Sequence, residues 1–154
     1  MIAYDVIEAA YPSAEQLAEF KNFASVNVAA TDGLLTSMLK SAMLAVGEWE
    51  DVSLLVCTCR VSATGREYAY EPVHLFGTPN EVTEMVDGGG YPIEGRLAGR
   101  DVILDDPAKN IFVTYTTRVD EGALGRLLPK VYRYALALYD GESSPVLNRI
   151  LTER

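Results

Sequence analysis

Residues 32–50, DGLLTSMLKSAMLAVGEWE, constrain the fold more than any other stretch. Leu35, Met38, Leu39, Ala42, Val46 and Trp49 recur at helical spacing and make one continuous apolar stripe. With Asp32 as a cap, the pattern predicts a helix over 32–50. A shorter helix is predicted over 13–24. There Ser13 and Gln16 form a capping-box pattern, and Leu17, Phe20 and Ala24 follow at helical spacing. Only SVNVAAT joins the two, which predicts an antiparallel pair.

The character of the chain changes over about 53–118, where residue types favour strands and turns. LLVCTCRVS and NIFVTYTTRV read as strands rich in β-branched and aromatic residues. EYAYEPVHLFG is extended but broken by Pro72, which places it at an edge. Turn signals stand at GTPN, DGGGYP and DDPAKN, and YPIEG with RDVILDD reads as a small hairpin. A third helix is expected over about 128–140, with Pro129 in its first turn and Gly141 at its C-terminal cap. Beyond it, Val146, Leu147, Ile150 and Leu151 form a short amphipathic tail. About ten residues do not hold a helix in water alone, so something must receive that face. The fold class expected is α+β: a small bundle of three main helices, an inserted antiparallel β region and an extended C-terminal tail.

Composition narrows the function classes. Hydrophobic residues make up 49% of the 154, enough for a core. The net charge of −9 argues against a general nucleic-acid binder, but suits a surface that lets a polyanion pass without sticking. No apolar run is long enough to span a membrane, and no basic n-region opens the chain, so the expectation is a cytosolic protein with no membrane partner.

Catalytic chemistry finds little support. The single histidine, His74, lies in an apolar extended segment without placeable triad partners. Cys57 and Cys59 lack the second pair a zinc site needs, and read as small buried side chains on opposite faces of a strand. DGGGYPIEGR lacks the Lys-Ser/Thr of a phosphate loop and reads as a flexible loop. Asp101, Asp105 and Asp106 lack the ordered spacing of a calcium loop and read as solvated. No catalytic residue, cofactor or metal is expected.

The third helix carries more than one apolar side. Its core face is Leu124, Leu127, Leu128, Val131, Ala135 and Leu138. Tyr132, Leu136 and Tyr139 make a second stripe, of the kind interfaces favour, and Arg126, Lys130 and Arg133 make a basic one. At a helix start cations are disfavoured by the dipole, as are Glu48, Glu50 and Asp51 at the end of the 32–50 helix. Pairing between the two groups, within or between subunits, would relieve both.

The order of elements resembles the head–tail connector (adaptor) proteins of long-tailed bacteriophages. The matching pieces are Pro72-Val73, Tyr91-Pro92-Ile93, Val113-Thr114-Tyr115 and Leu128-Pro129 with Leu138-Tyr139, within residues 13–141. The glycine-rich DGGGYP, and GEWEDVS after the long helix, depart from the family pattern. The resemblance implies a structural, non-enzymatic subunit of a ring, usually of twelve copies, assembled in the host cytoplasm and sited in the virion neck. It implies a connector domain over 1–141 and a docking tail over 142–154, with a portal protein and a tail or stopper protein as partners and DNA passing non-specifically through the lumen. Val146, Leu147, Ile150 and Leu151 would then bind the portal. Tyr132, Leu136, Tyr139, Arg126, Lys130, Arg133, Glu48 and Glu50 would line the subunit interface, and Asp87, Gly88, Gly89, Gly90 and Tyr91 would reach the next ring. Two other classes stay open: a cytosolic interaction module with a hydrophobic groove, and an enzyme using His74 or the Asp101–Asp106 acids.

Overall fold

The computed structural model describes residues 1–26, 31–69 and 71–154. The elements run β1 (Ile2–Ala9), α1 (Ala14–Ala24), α2 (Asp32–Glu50), β2 (Cys57–Tyr68), β3 (Val73–His74), β4 (Pro79–Val86), β5 (Gly95–Ala98), β6 (Asp101–Leu104), β7 (Ala108–Thr117), α3 (Glu121–Tyr139) and α4 (Ser144–Thr152). The expected α+β class holds. Two compact units share the chain: Met1–Ala9 with Val56–Val119, and Ala10–Leu55 with Asp120–Arg154.

The first unit is all β. Its larger sheet has the order β1-β2-β7-β4, and its smaller one β3-β6-β5. β2 and β7 form the centre because both alternate β-branched, aromatic or small side chains with polar ones. Cys57, Cys59, Val61 and Ala63 are buried on β2, as are Ile111, Val113 and Tyr115 on β7. The register places Val61 opposite Val113 and Cys59 opposite Tyr115, so the two buried rows coincide. A one-residue slip would turn both rows to the other face. The two cysteines therefore share a face, contrary to expectation, because a two-residue step along a strand returns to the same side. Tyr115 is fully buried, and its hydroxyl donates to the Phe76 carbonyl at 2.8 Å.

β3 sits at the edge of the smaller sheet, as the proline before it implied, and β5 with β6 makes the small hairpin. The hairpin begins at Gly95, the last residue of YPIEG, and not at Tyr91. Two strands are additions to the sequence reading. β1 pairs with β2, and β4 pairs with β7, each at an edge of the larger sheet. Pro79 reads as a turn residue, yet as the first residue of an edge strand it removes no needed donor.

The second unit is helical. α1 opens with the expected capping box: the Gln16 amide donates to Ser13 Oγ at 3.1 Å, and the Ser13 amide to Gln16 Oε1 at 2.9 Å. The linker residues 27–30 between α1 and α2 lie outside the described residues. Thr31, not Asp32, holds the N-cap position of α2, and Asp32 instead takes an ion pair from Lys21 at 2.7 Å. Leu35, Leu39, Ala42 and Val46 are fully buried, whereas Trp49 is 56% exposed and lies off the core stripe.

α3 departs most from expectation. It starts at Glu121, where the Asp120 carboxylate accepts from the Ala123 amide at 3.1 Å, so Pro129 lies inside the helix and not in its first turn. Gly125 and Pro129 are both exposed, so water can reach the carbonyl that the missing proline N–H leaves unpaired. Gly141 closes the helix as expected, at φ 71°. The amide of Gly141 donates to the Leu138 carbonyl and that of Glu142 to the Ala137 carbonyl.

The tail is not extended. Residues 144–152 form the helix α4, with Ser143 at its N-cap position and Pro145 in its first turn. It packs against α3 of the same chain, and Leu151 is buried. The surface that receives the amphipathic face is intramolecular.

Candidate interaction site

α3 is the element around which the candidate residues gather. Lys130 is buried, and its ammonium donates to Glu50 Oε1 at 3.2 Å and to the Leu151 carbonyl at 3.1 Å. One cation thus ties α3 to the end of α2 and to the last turn of α4. A buried ammonium needs such partners, since leaving it unpaired is strongly unfavourable. The basic stripe and the acids of α2 do meet, then, at Lys130 and Glu50, within one chain. The helix dipole does not drive that pairing, because α3 begins at Glu121 and Arg126, Lys130 and Arg133 lie beyond its first turn. Arg133 pairs with Glu153, past the end of α4, and Glu48 is exposed.

Tyr132 belongs inside the chain, which corrects its place in an exposed stripe. It is 8% exposed, its ring lies 5.9 Å from Phe20 and 5.8 Å from Phe23, and its hydroxyl donates to Glu19 Oε2 at 2.7 Å. Burial first, and the Glu19 carboxylate second, push that hydroxyl above the ordinary tyrosine range. Leu136 is half-buried and Tyr139 is 38% exposed, so these two keep the surface that a neighbour could use. On α4, Val146, Leu147 and Ile150 are half-buried.

A cleft of about 510 Å³ opens beside Lys130. Arg126, Lys130, Arg133 and Arg154 line it with Glu50 and Glu153, over Leu127 and Pro129. It is a charged cleft, unlike the hydrophobic groove considered from sequence. The contributions of Glu153 and Arg154 were missed there. Their signal was faint: two opposite charges at the end of an amphipathic stretch.

The loop 87–91 is a turn closed by its own hydrogen bonds. Asp87 Oδ1 accepts from the amides of Gly89 at 2.9 Å and Tyr91 at 3.0 Å, and the Asp87 amide donates to the Tyr91 carbonyl at 2.9 Å. The positive φ of Gly90, 80°, suits glycine alone, and Tyr91 stands 71% exposed at the rim.

His74 Nδ1 lies 3.2 Å from Asp101 Oδ1, both side chains are half-exposed, and the ring edge meets Phe76. This is a cross-strand pair, since His74 and Asp101 are opposite each other in the β3–β6 register. Asp105 and Asp106 sit in the exposed turn before β7. Among the described residues, no cluster of three or more His, Cys, Asp or Glu is arranged to hold a metal ion. Cys59 Sγ lies 3.5 Å from the Tyr4 hydroxyl. Hydrogen bonds from Cys57, then Tyr4 and Tyr115, hold the Cys59 thiol at about 7, below its usual value, against the opposing effect of burial.

No family model and no curated protein matches the sequence. Solved structures do match. A chain in the neck of an empty gene transfer agent (GTA) particle, solved with C6 symmetry, superposes with a TM-score of 0.67 at 18% identity, covering 97% of this chain and 93% of that one. A chain in the virion of the native GTA particle gives 0.64 at 20% identity, over 89% and 84%. One in the native neck, with C12 symmetry, gives 0.55 at 19%, over 96% and 97%. The chain shares its fold with proteins of these particles. The likeness spans almost the whole length of both partners, so it takes in the strands of the first unit as well as the helices of the second.

Proposed function

We propose that this protein is a structural subunit of a neck ring in a virion or virion-like particle, joining portal to tail while DNA passes through the lumen. The observation that carries the reading is the fold shared with GTA neck chains over 97% of this chain and 93% of that chain. The net charge of −9 supports a lumen that repels phosphates. The two neck structures were solved with C6 and C12 symmetry, so rings of six and of twelve both stand as candidates.

Within this reading the contact surfaces are narrower than the sequence suggested. Leu136 and Tyr139 serve the subunit interface, while Tyr132 stiffens its own helix layer. Portal docking uses the exposed parts of Val146, Leu147 and Ile150, with Leu151 already packed at home. The closed turn at Asp87–Tyr91 presents an aromatic tip to the next ring.

The test is genetic and biochemical. In purified particles the protein should be found by mass spectrometry at six or twelve copies per particle. Deleting its gene should leave DNA-filled heads without attached tails. Intact tailed particles from the deletion strain would refute the proposal.

A further inference from the structure

We infer that the cationic cleft beside Lys130 receives the Asp105–Asp106 turn of a second copy of this chain. The inference rests on the ring reading above and names the contact that closes it. Four of the chain's 13 basic residues line this one cleft. Lys130 and Arg133 are engaged by Glu50 and Glu153, whereas Arg126 and Arg154 have no acidic partner among the described residues. A chain of net charge −9 that gathers its cations here presents an acidic surface elsewhere. A second copy is therefore the complementary partner most available to it.

The turn has the right form. Asp105 and Asp106 are adjacent and exposed, and neither makes an ion pair among the described residues. The Asp105 amide donates to the Glu94 carbonyl at 3.0 Å, and Pro107 confines Asp106 to extended backbone. Such a stiff knob loses little conformational freedom on docking. Two carboxylates then meet two guanidinium forks, the geometry that arginine favours. Duplex DNA is the poorer occupant: a phosphate track wants an unbroken run of cations, and Glu50 and Glu153 interrupt this one. Because cleft and turn are different surfaces, the contact is head-to-tail, the type that closes into rings.

The test uses two full-length variants, Arg126→Glu/Arg154→Glu and Asp105→Arg/Asp106→Arg, with circular dichroism to confirm folding and native mass spectrometry to read assembly. Wild type should form rings. Each variant alone should need about tenfold more protein to assemble, the loss expected for two exposed ion pairs turned repulsive. Mixed one to one, the variants should assemble into rings in which the two alternate, since the native turn of one meets the native cleft of the other and the reversed turn meets the reversed cleft. Combining all four changes should restore rings. Wild-type-like assembly by either variant alone, or no recovery of assembly in the mixture, would overturn the contact. So would a wild type that stays monomeric even with the other neck proteins, or a cleft variant whose one defect is lost binding to duplex DNA. Particle mass spectrometry scores the neck reading separately, so failure of this contact and failure of that reading give different results.

Discussion

Replacing Lys130 with methionine keeps the length of the stem and removes only the ammonium. The native side chain is 9% exposed and makes charge-assisted bonds to Glu50 and to the Leu151 carbonyl. Breaking a fully buried ion pair costs about 3–5 kcal/mol. Glu50 keeps 28% of its side-chain surface, so water can rescue part of its charge. The estimate therefore falls to about 2 kcal/mol, near the value of a hydrogen bond to a charged group. For a chain of this size that lowers Tm by about 4–8 °C, readable by circular dichroism. Glu50→Gln should cost about half as much, because Lys130 keeps the Leu151 carbonyl and solvent can approach from the open side. The structure makes a second, local demand. The lost bond to Leu151 holds the last turn of α4, so amide exchange across residues 144–152 should quicken in Lys130→Met and stay near wild type in Glu50→Gln. Equal melting temperatures, or unchanged protection of α4 in Lys130→Met, would refute the role given to this cation.

Phe20→Ala should destabilise by about 3 kcal/mol in urea titration, since the ring is fully buried and stacks on Tyr132. Ser13→Ala should cost about 1 kcal/mol by removing the capping box, and Ser13→Asn should recover most of it. Stability should also vary with pH through Cys59. Its thiol titrates at about 7 in the fold against 9.0 ordinarily, so its contribution is present above the unfolded value and lost as pH falls through 7. Stability should rise between about pH 7 and 9, and Cys59→Ala should flatten that rise.

Local chemistry carried well from sequence to structure. The Ser13–Gln16 box, the Gly141 cap and the Leu35–Val46 stripe each depend on neighbours within a few residues, and each appears where the pattern put it. Misreadings arose where distant partners decide. β1 is exposed along most of its length, so it shows no buried alternation, and only the backbone of β2 makes it a strand. Pro79 disfavours a strand locally, and Gly122 and Gly125 disfavour a helix, yet their neighbours in the fold impose both. For the candidate site, the amphipathic tail asked correctly for a partner surface. Its being α3 of the same chain could not be read from periodicity, which reports that a face must be covered and not by what.

The chain enters the β unit, leaves it, returns and leaves again. Tyr4 meets Cys59 across 55 positions, Glu50 meets Lys130 across 80 and Glu19 meets Tyr132 across 113. On the ribosome, β1 emerges well before β2 and must wait for it, as α1 and α2 must wait for α3. Both units are therefore completed late and nearly together, with mostly non-local closures of the kind that fold slowly. No single cut in the gene would release either unit as a contiguous fragment, so a nascent chain stalled before α3 should depend on chaperones until synthesis resumes.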